Sequence, residues 1–246
     1  MFSLFPWQAT QRAHLPPCVE EYLATSRPVD EKSWRDVSYS VLDLETTGLV
    51  ANRDVILSIG LVEIDQGRIH LERNWYSLVQ PPPDVQVPAE SICIHKLMHC
   101  DLVDAPALRE VLLELLARLR GRVLVVHFAQ IDIEFLKRAL RKLWGVPMQG
   151  PAIDTMRIAQ MMYQQDMRLM GEEGMGRRMV TSLSELAEDA RLPIYEQHNA
   201  LTDALTTAQL FFSTGHTPGT AWHGHFRRIA PRWSVLALIE PLSDGY

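Results

Sequence analysis

The segment Ser40-Val41-Leu42-Asp43-Leu44-Glu45-Thr46-Thr47-Gly48 alternates in character and then runs into a small, turn-forming stretch. Its period of two predicts a strand over 40–45, on which Asp43 and Glu45 leave the same face. Neighbouring carboxylates repel unless a cation neutralises them or one takes a proton, so the pair suits a hard divalent ion at the edge of a core. Taken alone, the same spacing equally describes two solvated acids on an exposed strand. Thr46-Thr47-Gly48 adds a turn whose backbone N–H groups can approach a phosphate or a sugar, with Gly48 freeing the backbone to do so.

Outward from this strand, two β-rich runs over 55–64 and 69–79 are joined by Asp65-Gln66-Gly67, a favourable hairpin turn. Three successive antiparallel strands are therefore expected. Residues 108–119 carry Val111, Leu112, Leu115, Leu116 and Leu119 at helical spacing, and 123–126 form a continuous apolar run suited to a strand buried on both faces. Helices are predicted through 135–143, over 154–170, over 182–190 with Ser182 and Glu185 at capping-box spacing, and over 200–212. The class is α/β, a mixed sheet flanked by helices.

At 246 residues and 47% hydrophobic, the chain suits one domain with extensions better than two full domains. The expected division is an N-terminal extension over 1–36, a main domain over 37–213 and a C-terminal extension over 214–246. No apolar run of about 18 residues suggests a membrane span, and the first residues lack the pattern of a secretory signal, which points to the cytoplasm. Cys18, Cys93 and Cys100 have neither disulfide-framework nor zinc-site spacing. A formal charge of −6 argues against tight, sequence-independent binding of a long phosphate backbone, so any nucleic acid must be gripped locally.

Three further acids and histidines stand where chemistry is plausible. Asp132 follows the buried run at the start of a helix, where it reads either as a dipole-favoured N-terminal acid or as a carboxylate projecting over the sheet end. In His198-Asn199-Ala200-Leu201-Thr202-Asp203, positions five apart would point about 140° apart on one helix. His198 therefore belongs in the loop before the helix and Asp203 in its first turns. Asp154 suits an N-cap, His127 a hydrogen-bonded core histidine, and Arg177 and Arg178 either a solvated face or a phosphate contact.

Together these pieces resemble the DEDDh branch of the DnaQ-like 3′-to-5′ exonucleases, the family of the DNA polymerase III epsilon proofreading subunit. The first motif is matched by Asp43-Leu44-Glu45-Thr46-Thr47-Gly48, the second by His127-Phe128-Ala129-Gln130-Ile131-Asp132, and the third by His198 to Asp203. The second departs from the pattern, which usually has Asn where Phe128 stands and Phe where Ile131 stands. The resemblance implies a ribonuclease H-like mixed sheet, with three antiparallel strands followed by parallel ones. It implies two Mg²⁺ or Mn²⁺ ions held by Asp43, Glu45, Asp132 and Asp203, roughly 3.5 to 4 Å apart, with His198 as general base. It further implies Thr46, Thr47, Gly48, Leu49 and His95 as substrate contacts and nucleoside 5′-monophosphates as products. Single-stranded or frayed 3′ ends would be the substrate, DNA in preference to RNA, with a DNA polymerase or a second copy as partner.

Overall fold

Strand β1 (Tyr39–Thr46) occupies the middle of the sheet, and its alternation sorts side chains onto two faces. Leu42 and Leu44 enter one buried cluster, while Tyr39 and Val41 enter another on the opposite face. The structure, a computed structural model, describes residues 15–25, 34–170, 178–216 and 240–241.

β2 (Ile56–Asp65) pairs antiparallel with β1, and β3 (Arg68–Leu78) antiparallel with β2. The turn between them holds Gln66 at φ 49° and Gly67 at φ 66°, two successive left-handed residues that match the twist of a tight hairpin. On the other side of β1, β4 (Val123–Val126) and β5 (Pro151–Asp154) add in parallel, and β6 (Glu240–Pro241) pairs antiparallel with β5. The order β3-β2-β1-β4-β5-β6 is the expected mixed α/β sheet, three antiparallel strands followed by parallel ones.

Helices cover both faces. α1 (Pro17–Thr25), α4 (Leu108–Leu119) and α5 (Ala129–Trp144) contribute to the cluster around Leu42 and Leu44. α6 (Thr155–Met170) and α8 (Ala200–His216) contribute Ile158, Met162, Ala204 and Ala208 to the cluster around Val41. Shorter helices α2 (Ala89–His95), α3 (His99–Leu102) and α7 (Leu183–Asp189) lie in the connections, and the Ser182 hydroxyl accepts the Glu185 N–H at the start of α7, as its spacing predicts. No described helix is long and apolar enough to cross a membrane.

Where structure and sequence differ, short elements are responsible. β5 is four buried or half-buried residues with no period to read, so the helix expected from 154 begins instead at Thr155. α2 and α3 are too short to show a stripe, and α5 starts at Ala129, well before the apolar run that announces it. The C-terminal stretch over 214–246 lies outside the described residues except for the end of α8 and β6.

The amino-terminal end of β1 is braced by ions. Arg122 donates to Glu63 at 3.0 Å, to Asp65 at 2.9 Å and to the Tyr39 carbonyl at 3.1 Å, and Arg73 reaches Asp65 at 3.0 Å. Arg118 lies 3.7 Å from Glu63 and stacks over Trp75. α1 is docked by Val19 and Tyr22, both fully buried, and the Tyr22 hydroxyl donates to the Gln149 carbonyl at 2.6 Å while accepting its N–H at 2.9 Å. Tyr22→Phe leaves both backbone groups unpaired, so a loss of about 1–3 kcal/mol is expected in denaturant unfolding. An unchanged midpoint would show that water replaces the hydroxyl.

Candidate active site

Asp43 and Glu45 share the parity of Val41, so both side chains leave the sheet on the face that α8 covers. Asp203, in the first turn of α8, meets them there: one carboxylate oxygen from each of Asp43, Glu45 and Asp203 lies within 4.8 Å of the others. This approach depends on Gly60, which pairs with Asp43 across the β1–β2 ladder. A Cβ at Gly60 would sit 2.1 Å from the Ala200 carbonyl oxygen and 2.3 Å from Leu201 N. A glycine inside a strand is a signal of close backbone approach, and Gly60 is where the sequence carries it. Asn199 fixes the start of α8, its Oδ1 accepting the Leu201 N–H at 3.1 Å and the Thr202 N–H at 3.3 Å.

Asp132 arrives from the sheet edge. On β1, only Tyr39, Ser40 and Val41 pair with β4, so the rest of β1 overhangs it. The Asp132 carboxylate accepts the Leu44 N–H of that overhang and is only 6% exposed. Burial, reinforced by the charges of Asp154 and Glu45, raises its pKa to about 8. Burial and the Asp203 charge raise Glu45 to about 7. Asp43 is pushed well above the carboxylate range by burial and then by Asp132, Asp203 and Glu45. Asp203 is raised by burial, an effect opposed by hydrogen bonds to its carboxylate.

His198 stands in the loop before α8, as its spacing to Asp203 predicts. It adopts φ 61°, a left-handed conformation, and its backbone N–H donates to Asp203 Oδ2 at 2.8 Å. The imidazole is thereby tied to the position of a site carboxylate while remaining exposed.

The turn after β1 is pinned from within. Thr46 Oγ1 donates to the Gly48 carbonyl at 2.7 Å, and Thr47 Oγ1 accepts the Val55 N–H at 3.0 Å. Both hydroxyls are thus committed, and what the corner presents outward is backbone together with Leu49, 73% exposed. His95, expected at the substrate, is turned inward and buried. Its Nδ1 accepts the Leu97 N–H at 3.0 Å, so the neutral ring carries its proton on Nε2 and donates to Ser91 Oγ at 2.6 Å. Ser91 in turn donates to the Thr46 carbonyl at 3.1 Å. His95 therefore braces the end of β1.

Asp154 caps α6 through the Met156 N–H at 2.9 Å and also accepts the Phe128 and Ala129 N–H groups at 3.0 Å each. It holds the loop that delivers Asp132. His127 donates to the Thr181 carbonyl at 2.9 Å and faces the Thr155 hydroxyl, as a core histidine does. Arg178 pairs with Glu185 at 3.0 Å, and Arg177 lies outside the described residues.

Among the described residues no arginine or lysine pairs with any of the four carboxylates. An all-oxygen, strongly acidic donor set of this kind fits a hard divalent cation. Unfolded, these carboxyls ionise near pH 4; folded, Glu45 and Asp132 keep their protons until about 7 and 8. Between those limits the folded chain binds more protons than the unfolded one, so stability falls as pH rises. In chelator, Tm is expected to drop between about pH 5 and about pH 8, and Mg²⁺ or Mn²⁺ to raise it more at the higher pH, where protons no longer compete. A Tm indifferent to metal at both pH values would contradict a cation site here.

The sequence model of the exonuclease (RNase T) family matches residues 40–211. The DNA polymerase III subunit epsilon of Treponema pallidum is 30% identical over 206 residues, covering 84% of this chain and 89% of that protein. The PolC-type DNA polymerase III of Thermotoga maritima is 31% identical over 213 residues, or 83% of this chain, but the chain spans only 14% of its length. In fold, the chain is similar to the nuclease domain of 3′hExo, a DEDDh family member, with a TM-score of 0.59 at 15% identity over 74% of this chain and 93% of that one. It is also similar to exonuclease X, solved with 5′-overhanging duplex DNA, with a TM-score of 0.52 at 23% identity over 78% and 99% of the two chains. With the mixed sheet and the clustered acids already in place, the chain belongs to the exonuclease (RNase T) family.

Proposed function

We propose that the protein is a two-metal 3′-to-5′ exonuclease that releases nucleoside 5′-monophosphates from single-stranded or frayed 3′ ends, DNA in preference to RNA. The observation that carries this reading is the cluster of four carboxylates at the end of β1, held together without a cationic side chain among the described residues. Asp43, Glu45, Asp132 and Asp203 would hold two Mg²⁺ or Mn²⁺ ions, with Asp43, which feels all three of the others, between them. When bound, such ions neutralise the cluster, ease deprotonation of an attacking water and stabilise the leaving oxygen.

The chain's own groups do the rest. His198 takes the proton of the attacking water, the task imidazole side chains perform in general base catalysis. Its backbone tether to Asp203 keeps the ring beside the cluster. Attack at phosphorus breaks the bond to the 3′-oxygen, leaving a 3′-hydroxyl on the shortened strand and a 5′-monophosphate on the released nucleoside. Thr46, Thr47 and Gly48 present a preorganised backbone corner to the terminal sugar, and Leu49 offers an apolar face to its base. His95 serves the same corner from beneath, through Ser91.

The epsilon-subunit relatives support a DNA polymerase as partner, with a second copy as the other arrangement, and a cytoplasmic setting. The deciding assay is a gel time course on 5′-labelled single-stranded DNA and RNA with Mg²⁺, Mn²⁺ or chelator. Wild type should give a metal-dependent ladder shortening from the 3′ end, faster on DNA. Asp43→Ala should give none, and His198→Ala should lower kcat by about 100- to 10,000-fold. No cleavage under any metal would leave a non-hydrolytic binding module instead.

Gly60→Ala tests the positioning of α8. The added methyl must push the Ala200–Leu201 backbone off the sheet, displacing Asp203, and about 100-fold of activity is expected to go with it. Activity within a factor of about two of wild type, measured on the same strand, would mean that α8 has slack at this contact.

A further inference from the structure

Phe128 is a large apolar residue in a place that favours neither its backbone nor its ring. It precedes α5 at φ 64° and ψ 56°, a left-handed conformation that glycine and asparagine adopt readily and bulky side chains rarely do. The conformation is imposed by Asp154, whose carboxylate takes the Phe128 and Ala129 N–H groups at 3.0 Å each. That clamp uses only backbone, so any side chain would satisfy it. Burial does not explain the ring either, because Phe128 is 41% exposed. A strained residue carrying an exposed aromatic group points to use of the ring outside the fold.

Its location says what it meets. Phe128 lies just past the carboxyl end of β4, beside the overhanging end of β1, and one helical turn before Asp132. The carboxyl ends of parallel strands are where α/β sheets receive ligands, and here they carry the acidic cluster. Leu49 and Val50, just past β1, are exposed apolar residues on the other of these two strand ends. An acidic site flanked by two apolar groups suits a nucleic-acid strand whose phosphate enters the cluster while its bases find apolar faces.

We propose that Phe128 is a base-stacking contact for one of the two 3′-terminal nucleotides, setting how tightly a strand end is held. This rests on the exonuclease reading above. Stacking on an aromatic ring tolerates every base, so Phe128 contributes affinity and demand for a base, with little choice among bases.

Phe128→Asn is the informative variant, because asparagine accepts the left-handed conformation and keeps the Asp154 clamp. Its Tm should not fall. KM for single-stranded DNA should rise about 5- to 100-fold with kcat nearly unchanged, and Phe128→Tyr should restore it. Wild type should lose the same factor when one of the two terminal nucleotides is made abasic, and Phe128→Asn should be indifferent to that change. Strand binding, followed by anisotropy with Ca²⁺ in place of Mg²⁺, should show the same pattern. Wild-type cleavage with Phe128→Asn unchanged on intact and abasic strands would overturn the stacking role alone. Phe128-dependent binding without any cleavage would instead sink the exonuclease reading and leave the stacking contact standing.

Discussion

The burial of Asp43, Glu45, Asp132 and Asp203 beside one another sets the terms on which this fold is built. Four buried or half-buried carboxylates converge on the end of one strand, and their pKa values rise through burial first and, for Asp43, Glu45 and Asp132, through the charges of neighbouring acids as well. Left to themselves, such groups would separate into water. They stay together because each is fixed by an element too well packed to move: Asp43 and Glu45 by the central strand, Asp203 by α8 pressed against Gly60, and Asp132 by α5 and the Leu44 N–H.

The two ends of β1 show opposite solutions to buried charge. At its amino-terminal end, Glu63 and Asp65 are matched by Arg122, Arg73 and Arg118, and Asp65 sits below its ordinary pKa, its desolvation outweighed by hydrogen bonds and attraction from Arg122 and others. At its carboxyl end the acids have one another. A cluster completed by arginine would be a structural brace; one left without it is ready for an external cation. Arg118 and Arg122 serve the brace.

Around the acids lies a layer of residues that touch them only indirectly. Asp154 holds the loop ahead of Asp132, Asn199 starts the helix of Asp203, and the His95–Ser91 pair secures the Thr46 carbonyl. Each satisfies backbone groups that a strand end or helix start leaves unpaired. The site's precision thus comes from ordinary hydrogen-bond satisfaction applied at helix starts and a strand end, and strain is stored at His198 and Phe128, two left-handed residues that border it.

Much of this protein is written locally in its sequence. The alternation over 40–45, the Gln66-Gly67 turn, the stripe of α4 and the spacing from His198 to Asp203 depend on a few neighbouring residues, and local sterics and periodicity express them directly. Asp43 and Glu45 are on one face for the same reason. What tertiary structure alone decided is distance and direction between segments: that α8 comes close enough for Asp203 because Gly60 lacks a side chain, that Asp132 meets Leu44 because β4 is short, and that His95 points inward to Ser91. No local rule carries those facts, because close approach and hydrogen-bond pairing between distant segments exist only once the chain has packed.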